Sequence, residues 1–236
     1  MRMMRRQMMR AAAGVALAPL AAREALAGPM DVDLRLVLAV DVSRSVDAEE
    51  YELQKDGYAR ALTDQRIVDA ITSGPLQRIG LCYVEWAGPQ MQRTPIDWIL
   101  IDSKASCERV AARISGLPYE PHSWTGVGAA MRYAAGKFES GPFHSRRMVI
   151  DVSGDGRNNN GPPADIVRDE LVAKNIVING LPIVSDKPNF GRPPERDLDR
   201  WYEENVIGGP GSFMMVANGF GDFARAVRNK LSREIA

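Results

Sequence analysis

Leu34-Arg35-Leu36-Val37-Leu38-Ala39-Val40-Asp41-Val42-Ser43-Arg44-Ser45 is the stretch that decides the fold. Its first seven residues are almost continuously apolar, the pattern of a strand covered on both faces of a parallel sheet. Its last five offer one carboxylate and two hydroxyls at alternate positions, where the strand gives way to a helix. A hard divalent cation takes about six oxygens near 2.1 Å. Asp41, Ser43 and Ser45 can supply half of such a cage, and the remainder must come from elsewhere in the chain.

Working downstream, Asp47 with Glu50 three residues on reads as a capping box. Tyr51, Leu53, Gln54, Tyr58 and Leu62 then recur at helical spacing. A break at Thr63-Asp64, a restart through Ile67, Val68 and Ile71, and a stop at Gly74-Pro75 complete this part. Residues 78–86 read as a second strand and 98–101 as a short third one, after a turn at Gly88-Pro89. With no helix between them, these two strands should be antiparallel. Helices follow over 104–115 and from near 126 to 138. A fourth strand spans 147–153, a helix opens at Pro162-Pro163 and runs to about 174, and a fifth strand spans 176–183. A Pro- and Gly-rich loop over 184–194, a helix over 195–206, a short strand over 213–216 and a helix capped by Asp222 close the chain. Alternating strands and helices without a dividing linker make one α/β domain, doubly wound around a mostly parallel sheet. Ligands of such sheets bind beyond the carboxyl ends of the strands.

Upstream of the opening stretch, Arg2, Arg5, Arg6 and Arg10 precede an apolar run over 11–22 and an A-x-A site at Ala25-Leu26-Ala27. The run is too short to cross a hydrocarbon core of about 30 Å, so residues 1–27 read as a secretory signal peptide before a domain at 28–236. Arg5-Arg6 also fits a twin-arginine signal, although Met8 and Met9 stand where that pattern prefers Phe and Leu, and the export route stays open. The expected compartment is the periplasm or the exterior. Removing five Arg and one Glu from 30 basic and 30 acidic residues leaves 25 and 29, a mature charge near −4. A strongly basic face, which nucleic acid would require, is therefore not expected. No later apolar run approaches 18 residues, so no membrane span is expected after cleavage. Cys82 and Cys107 fall in a compartment that permits disulfides, but buried free thiols are common and the pairing stays open.

The missing half of the cage has two candidates. Ser123-Trp124-Thr125-Gly126-Val127-Gly128 opens a helix, and Ser153-Gly154-Asp155-Gly156 ends the fourth strand. Hydroxyls of Ser43, Ser45 and Thr125, with Asp41 and Asp155 holding coordinated waters, meet the demands of Mg²⁺ or a similar ion. A cation so held is short of direct negative charge and favours a carboxylate from a partner.

Asp41-Val42-Ser43-Arg44-Ser45, Thr125-Gly126 and Asp155-Gly156 together resemble the metal-ion-dependent adhesion site of von Willebrand factor type A domains. The element order is similar to that family from about Asp33 to Arg233. Residues 83–88 and 149–156 resemble those of a bacterial exported subfamily of uncharacterised function (DUF1194-like). The resemblance implies a six-stranded sheet in the order 3-2-1-4-5-6 with the third strand antiparallel. It implies Mg²⁺, Mn²⁺ or Ca²⁺ at the top edge, and a protein partner that donates an acidic side chain. By that likeness Ser43, Ser45 and Thr125 coordinate the ion directly, and Asp41 and Asp155 act directly or through water. One departure is Ser153-Gly154, where many members carry a bulkier residue and a Thr.

Two rival functions are a metal-dependent hydrolase acting through Asp41, with Glu85 or Asp151 as base, and a structural envelope domain whose metal staples three loops. Enzyme patterns are otherwise wanting. Gly126-Val127-Gly128 follows a loop rather than a strand, no phosphate loop surrounds Gly136-Lys137, and no G-x-S-x-G elbow exists. Ser43 also replaces the second acid that an Asp-first phosphotransferase needs, so no enzyme is expected. Glu85 and Asp151 should be paired within their strands, since an unpaired carboxylate is costly there. Trp124 is expected in the core. Arg157-Asn158-Asn159-Asn160 reads equally as a ligand rim or as an ordinary turn.

Overall fold

The computed structural model describes residues 28–186 and 193–236. The expected signal peptide lies outside the described residues. The strands are β1 (Met30–Asp31), β2 (Leu34–Asp41), β3 (Ile79–Trp86), β4 (Gln92–Ile101), β5 (Phe143–His144), β6 (Met148–Gly154), β7 (Ile176–Val184) and β8 (Ala217–Asn218). The helices are α1 (Ala48–Thr63), α2 (Gln65–Ser73), α3 (Lys104–Ser115), α4 (Val127–Ser140), α5 (Ala164–Val172), α6 (Leu198–Asn205) and α7 (Phe223–Ile235).

Six strands form one sheet in the order β4-β3-β2-β6-β7-β8, which numbered within the sheet is 3-2-1-4-5-6. Only β3 and β4 are antiparallel; β2 pairs in parallel with both β3 and β6. All eight residues of β2 and all eight of β3 are buried. Period-2 alternation then sends Leu34, Leu36, Leu38 and Val40 into a layer with α1, α2, α3 and α7. Val37 and Ala39 enter the opposite layer, with α4, α5 and α6. A strand buried on both faces is why the opening stretch lacks the polar alternation of an exposed sheet.

Of the two caps read from sequence, the capping box at Asp47 holds. Asp47 accepts from the Glu50 N–H at 2.9 Å while Glu50 accepts from the Asp47 N–H at 3.1 Å. Asp64 separates α1 from α2 and caps the latter through the Arg66 N–H. Asp222 behaves otherwise: its carboxylate is taken by Arg225 and the Asn218 N–H, and a 3-10 turn over Phe220–Asp222 leads into α7. The third strand of the sheet starts six residues before expectation, because Gln92 to Ile96 alternate weakly and owe their strand form to pairing with β3. Pro95 is tolerated there because β4 is an edge. The last strand is displaced from 213–216 to Ala217–Asn218, with Met214 making only an isolated bridge to Gly180. The small β1–β5 pair, Met30 with Phe143 and Asp31 with His144, has no signal in the sequence. Cys82 and Cys107 are free thiols, buried on opposite faces of the sheet.

Glu85 and Asp151, the two acids within apolar strands singled out in the sequence, are paired. Glu85 accepts from Arg93 Nε at 2.6 Å and from the Tyr51 hydroxyl at 2.5 Å. Asp151 lies 2.5 Å from Lys230 Nζ, which also contacts Glu234 on the next turn of α7. Asn179 donates to Glu234 at 2.9 Å, and Arg147 donates to the Glu234 and Ile235 carbonyls at 2.6 and 3.4 Å. Lys230 and Asp151 are wholly inaccessible. Two carboxylates thus flank one ammonium in a dry layer, and this cluster bolts α7 to β6 and β7.

One excess negative charge in that cluster favours a bound proton. Burial first, and Asp151 second, push the Glu234 carboxyl from its ordinary 4.5 up to about 7. A raised acid pKa means that the folded state holds the proton more tightly than the unfolded chain. Its stabilisation is therefore complete below pH 4.5 and lost as pH rises through about 7. Glu234→Gln should flatten that part of the stability-versus-pH curve in denaturant titrations. Lys230→Met leaves two facing carboxylates and should cost about 3–5 kcal/mol at neutral pH.

Candidate metal centre

The carboxyl ends of β2 and β6 are neighbours in the sheet, so the loops that leave them meet. Asp41, the last residue of β2, is fully buried. Its Oδ1 accepts from the Ser43 N–H at 2.7 Å, a local turn that orients the carboxylate, while Oδ2 is buried without a hydrogen-bond partner. Ser43 and Ser45 hydroxyls lie 2.7 Å apart, and Ser45 donates to Asp155 Oδ1 at 2.6 Å. Because Ser45 has one hydroxyl proton and spends it on Asp155, Ser43 is the donor of the pair.

The third segment is held from two sides. His122 donates to the Val42 carbonyl at 3.2 Å and accepts from the Arg44 N–H at 2.9 Å, which joins the loop before Thr125 to the end of β2. On the far side Asn159 Oδ1 accepts from the Thr125 N–H at 2.9 Å, and Asn158 Oδ1 accepts from the Gly128 N–H at 3.1 Å. Thr125 is 5% exposed, and a side chain on Gly156 would meet its hydroxyl at 3.6 Å. Asp41, Ser43, Ser45, Thr125 and Asp155, drawn from three distant segments, are thus brought together. Ser43, Ser45, Thr125 and Asp155 line one cleft of about 700 Å³, with Asp41 beneath it.

The electrostatics invite a cation. Burial, and then the Asp155 charge, push the Asp41 carboxyl well above its ordinary range, against the pull of the Ser43 hydrogen bonds. Burial raises Asp155 to about 6, with Ser45 opposing. Two carboxylates and three hydroxyls form a hard, all-oxygen donor set that suits Mg²⁺ or Mn²⁺ better than a soft ion. The orphaned Asp41 Oδ2 leaves the group open to a further partner, a hydrogen-bond donor or a cation.

A family model described as protein of unknown function (DUF1194) matches residues 31–236. The chain belongs to that family. No curated protein matches this DUF1194 chain. Among solved structures it is similar to proximal thread matrix protein 1 from the mussel byssus, in a form with a zinc-occupied MIDAS motif. That likeness has 15% identity and a TM-score of 0.59, covering 88% of this chain and 49% of the mussel chain. A von Willebrand factor type A structure from Catenulispora acidiphila gives 15% identity and a TM-score of 0.56, over 86% and 43% of the two chains. BatB from Bacteroides thetaiotaomicron gives 17% and 0.53, over 85% and 98%. The DUF1194 chain therefore has the von Willebrand factor type A fold, and it spans about half the length of the mussel protein. Among the described residues no helix is long and apolar enough to cross a membrane.

Sequence reasoning misplaced or missed several residues here. Trp124 is 60% exposed at the cleft mouth, not in the core. Its φ of +73° is rare for a bulky side chain and turns the indole outward. Gly88 makes room, since a Cβ there would fall 2.8 Å from the Ser123 carbonyl and 3.0 Å from Trp124 Cβ. Asn158 and Asn159 clamp a distant segment rather than forming only a local turn, and Tyr202 was not singled out. Asn159→Ala removes the acceptor of the Thr125 N–H, and should cost about 1–2 kcal/mol by chemical denaturation.

Proposed function

We propose that this protein is an exported binding module that grips an acidic group of a protein partner through a divalent cation held by Asp41, Ser43, Ser45, Thr125 and Asp155. The observation that carries this reading is the hydrogen-bonded chain Ser43–Ser45–Asp155 lining an open cleft, next to the buried Asp41 whose Oδ2 has no hydrogen-bond partner. Mg²⁺ is the expected ion, with Mn²⁺ or Ca²⁺ as substitutes. It would neutralise the two carboxylates, and three neutral hydroxyls would leave it short of charge, so a carboxylate from outside completes its shell. A zinc-occupied site of this class in the mussel protein supports a divalent ion in this fold.

The mouth of the cleft supports a peptide-sized partner. Trp124, Ile183, Pro194 and Phe220 give it an apolar wall, and Arg44 and Arg157 stand beside the oxygen cradle. A left-handed tryptophan costs on the order of 1–3 kcal/mol in backbone strain. Strain that keeps an indole in water beside such a cradle is what a contact residue requires, and Trp is the residue type most often found at interface hot spots.

Binding is favoured over turnover by the state of the two candidate bases. Glu85 is engaged by Arg93 and Tyr51, Asp151 by Lys230, and neither lines the cleft. Hydrolysis of phosphate or ester substrates that disappears in Asp41→Asn would overturn this preference. The periplasmic or secreted location and the signal over residues 1–27 belong to the same proposal.

Calorimetry should show Mg²⁺ and Mn²⁺ uptake by the wild type, and its loss in Thr125→Ala with little change in melting temperature. If Thr125→Ala melts the domain while metal affinity holds, the ion is a staple or absent from this site. Protons compete for the same oxygens, so affinity should fall as pH drops through about 6, where Asp155 takes its proton. Trp124→Ala should leave metal affinity intact and weaken chelator-sensitive capture of partners from envelope extract.

A further inference from the structure

Tyr202, on α6, is fully buried, yet its hydroxyl has no hydrogen-bond partner. Two glycines of neighbouring strands make its slot. A Cβ on Gly180 in β7 would lie 3.0 Å from Tyr202 Cδ1, and a Cβ on Gly154 in β6 would lie 2.9 Å from the Tyr202 hydroxyl. That same point on Gly154 is 2.9 Å from Asp41 Oδ2. The absent side chain at Gly154 is thus the space in which two oxygens converge, and both are buried without a partner. Leaving a buried polar atom unpaired costs about 1–3 kcal/mol, so two such atoms facing one gap are an expensive coincidence. They are also complementary, because a phenol donates one hydrogen bond and an ionised carboxylate only accepts.

We propose that Tyr202 is a positioning residue of the metal cradle, its hydroxyl donating to Asp41 Oδ2, directly or through one water, when the cation is held. The inference rests on the metal reading of the site and adds to it a residue from α6, which none of the three cradle segments contains. Asp41 Oδ1 is already oriented by the Ser43 N–H. A second donor on Oδ2 fixes the plane of the carboxylate, and each oxygen keeps a lone pair for the ion or its water. Asp41 then enters the complex preorganised, in an apolar surrounding that otherwise disfavours its charge.

Tyr202→Phe deletes one oxygen and leaves the ring that packs on Gly180. In Mn²⁺ titration calorimetry at neutral pH it should weaken affinity about tenfold, the scale of one hydrogen bond to a charged group. The metal-free protein should melt no lower than wild type, since an unpaired buried hydroxyl has been removed. Unchanged Mn²⁺ affinity in Tyr202→Phe, to within about twofold, overturns the role of Tyr202 while leaving the metal site standing. A weaker affinity accompanied by a lower melting temperature of the metal-free protein overturns it as well. Absence of Mn²⁺ uptake by the wild type removes the metal reading and this inference together.

Discussion

A carboxylate at the end of a strand covered on both faces is the constraint around which this molecule is arranged. Asp41 has no access to water, and a charge taken out of water must find compensation or give up its ionisation. The Ser43 N–H supplies part of it. Asp155 makes the need worse, since the parallel pairing of β2 with β6 brings a second carboxylate to the same edge. A helical bundle or an open antiparallel sheet could let such a residue swing into solvent. In a doubly wound sheet the strand ends are fixed by their neighbours, so the compensation has to arrive at the site.

The same sheet carries a second buried charge cluster on another footing. At Asp151 the compensation is internal: Lys230 sits between two carboxylates, and α7 is held to β6 and β7 as a result. Glu85 is likewise satisfied by Arg93 and Tyr51. The contrast is informative because all three acids lie in or at the end of central strands. Two of them are matched by side chains and serve the fold. Asp151 also has oxygens outside any hydrogen bond but a cation 2.5 Å away in Lys230, whereas Asp41 keeps an unpartnered oxygen next to the cleft through which a cation can arrive.

The segment that carries Trp124 and Thr125 is held by contacts outside itself. Thr125 is set by Asn159, and the turn before it by pairing of His122 with Val42 and Arg44. Trp124 between these anchors is left with a backbone angle that its side chain disfavours, and Gly88 gives way to admit it. Strain of this kind persists only where neighbours over-determine the geometry. Here the over-determination comes from the three segments that carry the oxygen donors, which ties the placement of an exposed indole to the integrity of the cradle.

Much of this was legible in the chain. Continuous apolar character marked β2 as central, Asp47 with Glu50 marked the start of α1, and the D-x-S-x-S string directly after a buried strand marked the edge where a ligand would sit. These signals are local: periodicity and capping depend on residues a few positions apart. The extent of β4, the β1–β5 pair and the position of β8 were not legible, because each is set by backbone pairing with another strand rather than by the segment's own apolar pattern. Trp124 and Tyr202 were hidden for the same reason, with opposite outcomes. One was expected inside and is held outside by a left-handed turn; the other passed as a core aromatic until two glycines on adjacent strands brought its hydroxyl to Asp41. By itself, then, the sequence determined which oxygens are available and at which end of the sheet they emerge, since strand order and local spacing govern both. Only the tertiary structure decided which buried charges are already balanced and which one is left waiting, because that balance is struck between residues a hundred positions apart in the chain and a few ångströms apart in the fold.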